Sequence, residues 1–136
     1  MGRGRPRTVG GDGMIKLLHV EDDGDIREIA KMSLEMSGEF ELTQCSDGEE
    51  ALRVAPGLPV DVLLLDLMMP GMTGKEVLEA LRQMPDFAQT PAIFMTARVQ
   101  ESDKAELMSL GAVSVIPKPF DPMTLGDQIK AAISVS

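Results

Sequence analysis

Four places in this chain carry residues that could do chemistry together. Glu21, Asp22 and Asp23 stand in a row, Asp66 ends the apolar run Val62-Leu63-Leu64-Leu65, Thr96-Ala97 end another, and Lys118 lies between Pro117 and Pro119. Carboxylates brought together repel one another unless a cation sits among them. An all-oxygen set of carboxylates and a carbonyl suits Mg²⁺ or Mn²⁺, with waters filling the octahedron. No His or Cys stands in the right arrangement for zinc. A divalent cation and Lys118 beside a carboxylate would neutralise the oxygens of a phosphoryl group, and Thr96 could hydrogen-bond one of them. Asp66 would then be the in-line nucleophile, forming an acyl phosphate. Ala97 is small and leaves room for a phosphodonor to approach.

Each piece also has an ordinary reading. A lone Asp at a strand end is usually a turn residue or a cap. Three acids before a helix favour its dipole. Thr96 could be a plain cap and Lys118 a solvated charge. What favours the chemical reading is that all four pieces fall at strand ends, in order.

The elements that must position them follow from the apolar pattern. Strands are expected over Ile15–Val20, Glu39–Gln44, Val60–Leu65, Pro91–Met95 and Val113–Ile116. Helices are expected over Gly24–Ser37, Asp47–Val54, Thr73–Met84, Gln100–Leu110 and Met123–Ile133. The first helix shows Ile26, Ile29, Ala30, Ser33 and Leu34 on one face, and the third has Val77, Leu78 and Leu81 inward. Val60–Leu65 is the most apolar strand, as a central strand buried on both faces should be. Pro56-Gly57 and Pro85 stop helices, and Gly111 reads as a C-cap. Asp121 reads as an N-cap with Pro122 at the first helical position. Five strands alternating with five helices predict an α/β fold, a parallel sheet covered by helices on both sides. In such a sheet the chemistry sits beyond the carboxyl ends of the strands, where the acids, Thr96 and Lys118 fall.

The chain of 136 residues fits one domain. Residues 1–13 are Gly- and Arg-rich and read as a disordered basic leader, native or left from a tag, ahead of a domain over residues 14–136. The net charge is −9, and the leader's arginines make the remainder more acidic still. That argues against direct binding to nucleic acid or an anionic membrane. With 4 Phe, no Tyr and no Trp, base stacking has little to work with. No run approaches the roughly 18 to 20 apolar residues of a membrane span. The single Cys45 allows no intrachain disulfide and suits a reducing, cytoplasmic setting.

Taken together, the motifs resemble the receiver domain of response regulators in two-component signalling. The matching pieces are Leu17-Leu18-His19-Val20-Glu21-Asp22-Asp23, Leu64-Leu65-Asp66-Leu67-Met68-Met69-Pro70-Gly71-Met72-Thr73-Gly74, Phe94-Met95-Thr96-Ala97, Gly111-Ala112 and Lys118-Pro119-Phe120. They span about residues 14–134. The resemblance implies a flavodoxin-like, doubly wound (βα)5 three-layer sandwich with strand order 2-1-3-4-5. It implies Asp66 as phosphoacceptor, Thr96 as switch hydroxyl and Lys118 as the phosphate-pairing lysine. Mg²⁺, with Mn²⁺ able to substitute, would be bound by Asp66, directly by Asp22, through water by Glu21, and by the Met68 backbone carbonyl. A cis peptide before Pro119 is implied as well.

The implied function is a phosphorylation-dependent switch. It would take a phosphoryl group from a phosphohistidine of a partner histidine kinase or phosphotransfer protein, then change its surface toward a downstream protein. It would catalyse only its own phosphoryl transfer and dephosphorylation. No DNA-binding output domain is expected in this chain, which would be a stand-alone regulator or a receiver from a hybrid kinase. One position departs from the family. Three residues before the lysine stands Val115, where an aromatic ring usually follows the switch hydroxyl. Met68 and Arg98, two residues after Asp66 and Thr96, occupy positions that in the family tune water access to the phosphate.

Other residues have simpler readings. His19 lies inside the first strand and reads as a packed core residue rather than a phosphodonor. Cys45 reads as a buried or half-buried thiol. Met68, Met69 and Met72 read as local packing, or as an adaptable apolar rim for a partner helix. Two other classes stand against the switch. A Mg²⁺-dependent phosphatase would need a second acid where Met68 stands. A pseudo-receiver used only for docking would not need Glu21, Asp22, Asp66, Thr96 and Lys118 together.

Overall fold

The computed structural model describes residues 13–97 and 101–134, with the backbone alone for 101–103. The proposed leader, apart from Gly13, and Arg98 lie outside the described residues.

Five parallel strands form one sheet: β1 (Ile15–Val20), β2 (Phe40–Cys45), β3 (Val62–Asp66), β4 (Ala92–Thr96) and β5 (Ala112–Pro117). Their order is β2-β1-β3-β4-β5, so the chain reverses its winding direction beside β1. The helices are α1 (Gly24–Met36), α2 (Gly48–Val54), α3 (Gly74–Arg82), α4 (Glu101–Ser109) and α5 (Leu125–Ser134), with a 3-10 turn at Pro85–Phe87. This is the doubly wound α/β sandwich expected above.

The sheet divides the core in two. One side buries Leu18, Val20, Leu63, Leu65 and Phe94 under Val77, Leu78 and Leu81 of α3. The other buries Leu17, Leu64, Ile93 and Ile116 under Ala30 and Leu34 of α1 and Leu125 and Ile129 of α5. Alternate residues of β3 feed opposite cores, so all five are buried.

The site depends on where β3 stops. Asp66 is still in register with Met95 of β4, so the strand ends on the aspartate itself rather than on Leu65. Val60 and Asp61 fall outside the strand, because the Asp61 side chain accepts the Lys16 N–H at 2.9 Å. Thr73 caps α3 through a capping box with Glu76.

Two expectations need correction. Asp121 does not cap α5: its carboxylate accepts the Met123 N–H at 2.9 Å, making a local turn. The helix begins at Leu125, where the Gln128 N–H first reaches the Thr124 carbonyl. Ile29 does not face the core. It is 45% exposed, whereas Ala30 and Leu34 carry the buried stripe. Gly111 ends α4 as expected, at φ +94° with its N–H on the Met108 carbonyl.

Candidate functional site

The candidate site lies at the carboxyl edge of β1, β3, β4 and β5. Glu21 follows β1 and is fully buried. Its N–H donates to the Cys45 carbonyl at 3.0 Å, extending the β1–β2 ladder by one bond. Asp22 is exposed beside it. Asp23, third of the row, is occupied otherwise: its carboxylate accepts the N–H groups of Asp25 and Ile26 as the N-cap of α1. Asp66, at the end of β3, is 1% exposed.

Glu21, Asp22 and Asp66 each offer an oxygen within 4.8 Å of the others. Lys118 crosses to them from beyond β5, its Nζ 3.1 Å from Asp66 Oδ1 and 3.3 Å from Glu21 Oε1. The Lys118 N–H donates to the Thr96 carbonyl, and the peptide before Pro119 is cis, as the resemblance implied. Thr96 ends β4 and is buried, and Ala97 beyond it is exposed.

The charges are out of balance. Burial, then the nearby Asp66 carboxylate, pushes Glu21 up to about 7, with Lys118 opposing. Burial also raises Asp66, against the Lys118 hydrogen bond. Lys118 loses by burial but is held above its ordinary value by Asp66 and Glu21. Asp66 Oδ1 accepts Lys118 and, at 3.3 Å, the Met68 N–H, whereas the buried Oδ2 has no partner among the described residues. Three carboxylates around one ammonium, with an orphaned oxygen among them, fit a small hard cation.

The loop after Asp66 shapes the rim. Met68 is 68% exposed, Met69 is buried in the core and Met72 packs against it, so only Met68 of the three serves as a rim. Leu67, Met68, Thr96 and Leu107 line a cavity of about 250 Å³ beside the acids. Lys75 of α3 and Glu106 of α4 pair across its mouth at 2.7 Å. This α3–α4 contact was missed in the sequence, where neither residue belongs to a motif. Val115 is half-buried and packs against the core on the α3 side. His19 is fully buried, and burial lowers it to about 4, so it is neutral. Cys45 is buried, and burial raises its thiol to about 11. No helix among the described residues is long and apolar enough to cross a membrane.

Comparison with known proteins agrees with this geometry. Residues 17–130 match the family model of the response regulator receiver domain. The transcriptional regulatory protein CpxR of Escherichia coli is 42% identical over 120 residues, covering 88% of this chain and 50% of CpxR. The regulatory protein PhoP of alkaline phosphatase synthesis in Bacillus subtilis is 36% identical over 87% of this chain and 48% of its own. The chain thus spans about half the length of these curated relatives. Among solved structures, the chemotaxis protein CheY4 of Vibrio cholerae superposes with TM-score 0.82 at 34% identity, covering 88% of this chain and 98% of that one. The strand order, the acidic pocket and these matches make the chain a member of the response regulator receiver family.

Proposed function

We propose that this receiver is switched by phosphorylation of Asp66, with Glu21, Asp22, Asp66 and the Met68 carbonyl holding Mg²⁺. One observation carries the reading: a buried aspartate at the end of the central strand shares its pocket with two more acids and a single lysine. Bound there, Mg²⁺ would supply positive charge to offset that of the incoming phosphoryl group.

The residues divide the work. The Asp66 carboxylate attacks the phosphorus of a phosphohistidine on a partner kinase or phosphotransfer protein. An O–P bond forms as the N–P bond breaks, and the departing imidazole ring nitrogen recovers a proton from solvent. Lys118, already on Asp66 Oδ1, follows the charge onto the phosphoryl oxygens. Thr96 offers its hydroxyl to one of them. Exposed Ala97 and Met68 flank the approach of the donor. Loss of phosphate by water attack resets the switch, and the surface altered around Thr96 meets the downstream protein. Output through Thr96 cannot use a swinging ring here, because residue 115 is valine.

The test is incubation with MgCl₂ and acetyl phosphate, read by intact mass. Wild type should gain one phosphoryl group only when Mg²⁺ is present, and Asp66→Asn should gain none. A wild-type protein that stays unmodified, or an Asp66→Asn protein modified at the wild-type rate, sinks the proposal.

A further inference from the structure

We infer that Arg27, Gln44 and His19 are positioning residues, a hydrogen-bonded chain that holds Glu21 and Asp22 where they can take a divalent cation. The inference rests on the metal reading above. It starts from a guanidinium in the second turn of α1. Arg27 Nη1 donates to the Glu21 carbonyl at 2.7 Å, tying the helix back to the residue that leaves β1. The Arg27 carbonyl in turn accepts the Gln44 amide nitrogen of β2 at 2.8 Å. The same nitrogen lies 3.1 Å from His19 Nδ1, and His19 and Gln44 are register partners on β1 and β2.

The donor directions follow from the network. A flipped Gln44 amide would set its oxygen against the Arg27 carbonyl, two acceptors face to face. The nitrogen therefore faces both groups and spends its two N–H groups on Arg27 and His19. His19 accepts through Nδ1, so the neutral ring carries its proton on Nε2, which is buried without a partner among the described residues.

That orphan is the reason to look beyond packing. His19 shares its strand face with Leu17 and pairs in register with Leu64 of β3. A leucine there would fill the same layer with no polar group to satisfy. What the polar chain adds is a fixed β1–α1 turn. Glu21 is held at its N–H by Cys45 and at its carbonyl by Arg27, and Asp23 is held by its capping bonds. Asp22 lies between two anchored neighbours, so its carboxylate is presented with little backbone freedom. Groups that orient ligands from behind typically change metal affinity about 10- to 100-fold when lost.

Calorimetric titration of MgCl₂ into wild type, Arg27→Met, Arg27→Lys and Gln44→Met tests this. Thermal unfolding in EDTA checks that each variant is folded. Arg27→Met should bind Mg²⁺ about tenfold more weakly. Its labelling by acetyl phosphate should recover as Mg²⁺ is raised. Arg27→Lys, which keeps a donor in reach of the Glu21 carbonyl, should restore most of the affinity, and Gln44→Met should lose part of it. A folded Arg27→Met protein with wild-type affinity overturns the inference, as does a loss that lysine does not repair. If Arg27→Met does not fold, Gln44→Met decides: weakened binding supports the chain and wild-type binding overturns it. A wild type that binds no Mg²⁺ overturns the metal reading itself, a result distinct from any difference among variants.

Discussion

At the scale of single residues, the site is a place where stability is given up. Asp66 and Glu21 are both buried, both raised, and share one ammonium. Making Asp66 neutral removes a like charge from this pocket while keeping its shape. Asp66→Asn should therefore stabilise the protein in EDTA by about 1 kcal/mol, read by urea unfolding, even as it abolishes phosphorylation. An equal or lower stability would show that Lys118 already balances the acids. That Glu21, Asp22 and Asp66 meet was legible in the sequence, because each falls at a strand end of one parallel sheet, whereas a lone Asp there is a weak signal. How they divide their roles was not. Nothing in the row Glu21-Asp22-Asp23 says that the first is buried and the third spent on a cap, because that division follows from where β1 meets α1.

At the scale of elements, the critical joint is between β3 and α3. Gly74 opens α3, and its N–H donates to the Leu67 carbonyl. A Cβ at this position would press on the Asp66 carbonyl oxygen and come within 3.0 Å of the Leu67 Cα, backbone that cannot swing aside. Gly74→Ala should thus cost about 1–3 kcal/mol of folding stability in urea titration. It should also slow Asp66 phosphorylation, because the strain falls on the loop carrying Asp66 and Met68. Wild-type stability in that variant would mean α3 can retreat freely. The alternation of elements was readable from hydrophobic period, yet the start of α5 was misjudged. Asp121-Pro122 has the composition of a helix start, but the same Asp side chain serves a turn equally well. Only the packing of Leu125 and Ile129 under the sheet decides where the helix begins. Ile29 failed for a related reason: it stands beside the buried stripe, and the neighbours of α1 cover Ala30 and Leu34 instead.

At the scale of the whole molecule, the buried site links folding to protons and, on the proposed function, to metal. Glu21 rises from 4.5 to about 7, so between those values the folded protein holds a proton that the unfolded chain has lost. Its contribution to stability is fully present below the lower value and disappears as pH rises through the upper one. His19 works the other way. Lowered by burial from 6.5 to about 4, it leaves the unfolded chain holding the extra proton, so its contribution grows as pH rises across that window. In EDTA the two oppose each other in the mildly acidic range, and above it only the Glu21 contribution of this pair still changes. If Mg²⁺ is held as proposed, its binding needs the carboxylates ionised, so the stabilisation it adds should grow with pH through the Glu21 transition. Melting curves with MgCl₂ or EDTA should show a larger Mg²⁺ increment at about pH 8 than at about pH 5.5. In Glu21→Gln the increment should lose most of this slope, because the group that must give up its proton is gone. An increment equal at both pH values in wild type would mean that Glu21 is not protonated in the metal-free fold. Lys118 alone would then be neutralising the acidic pocket.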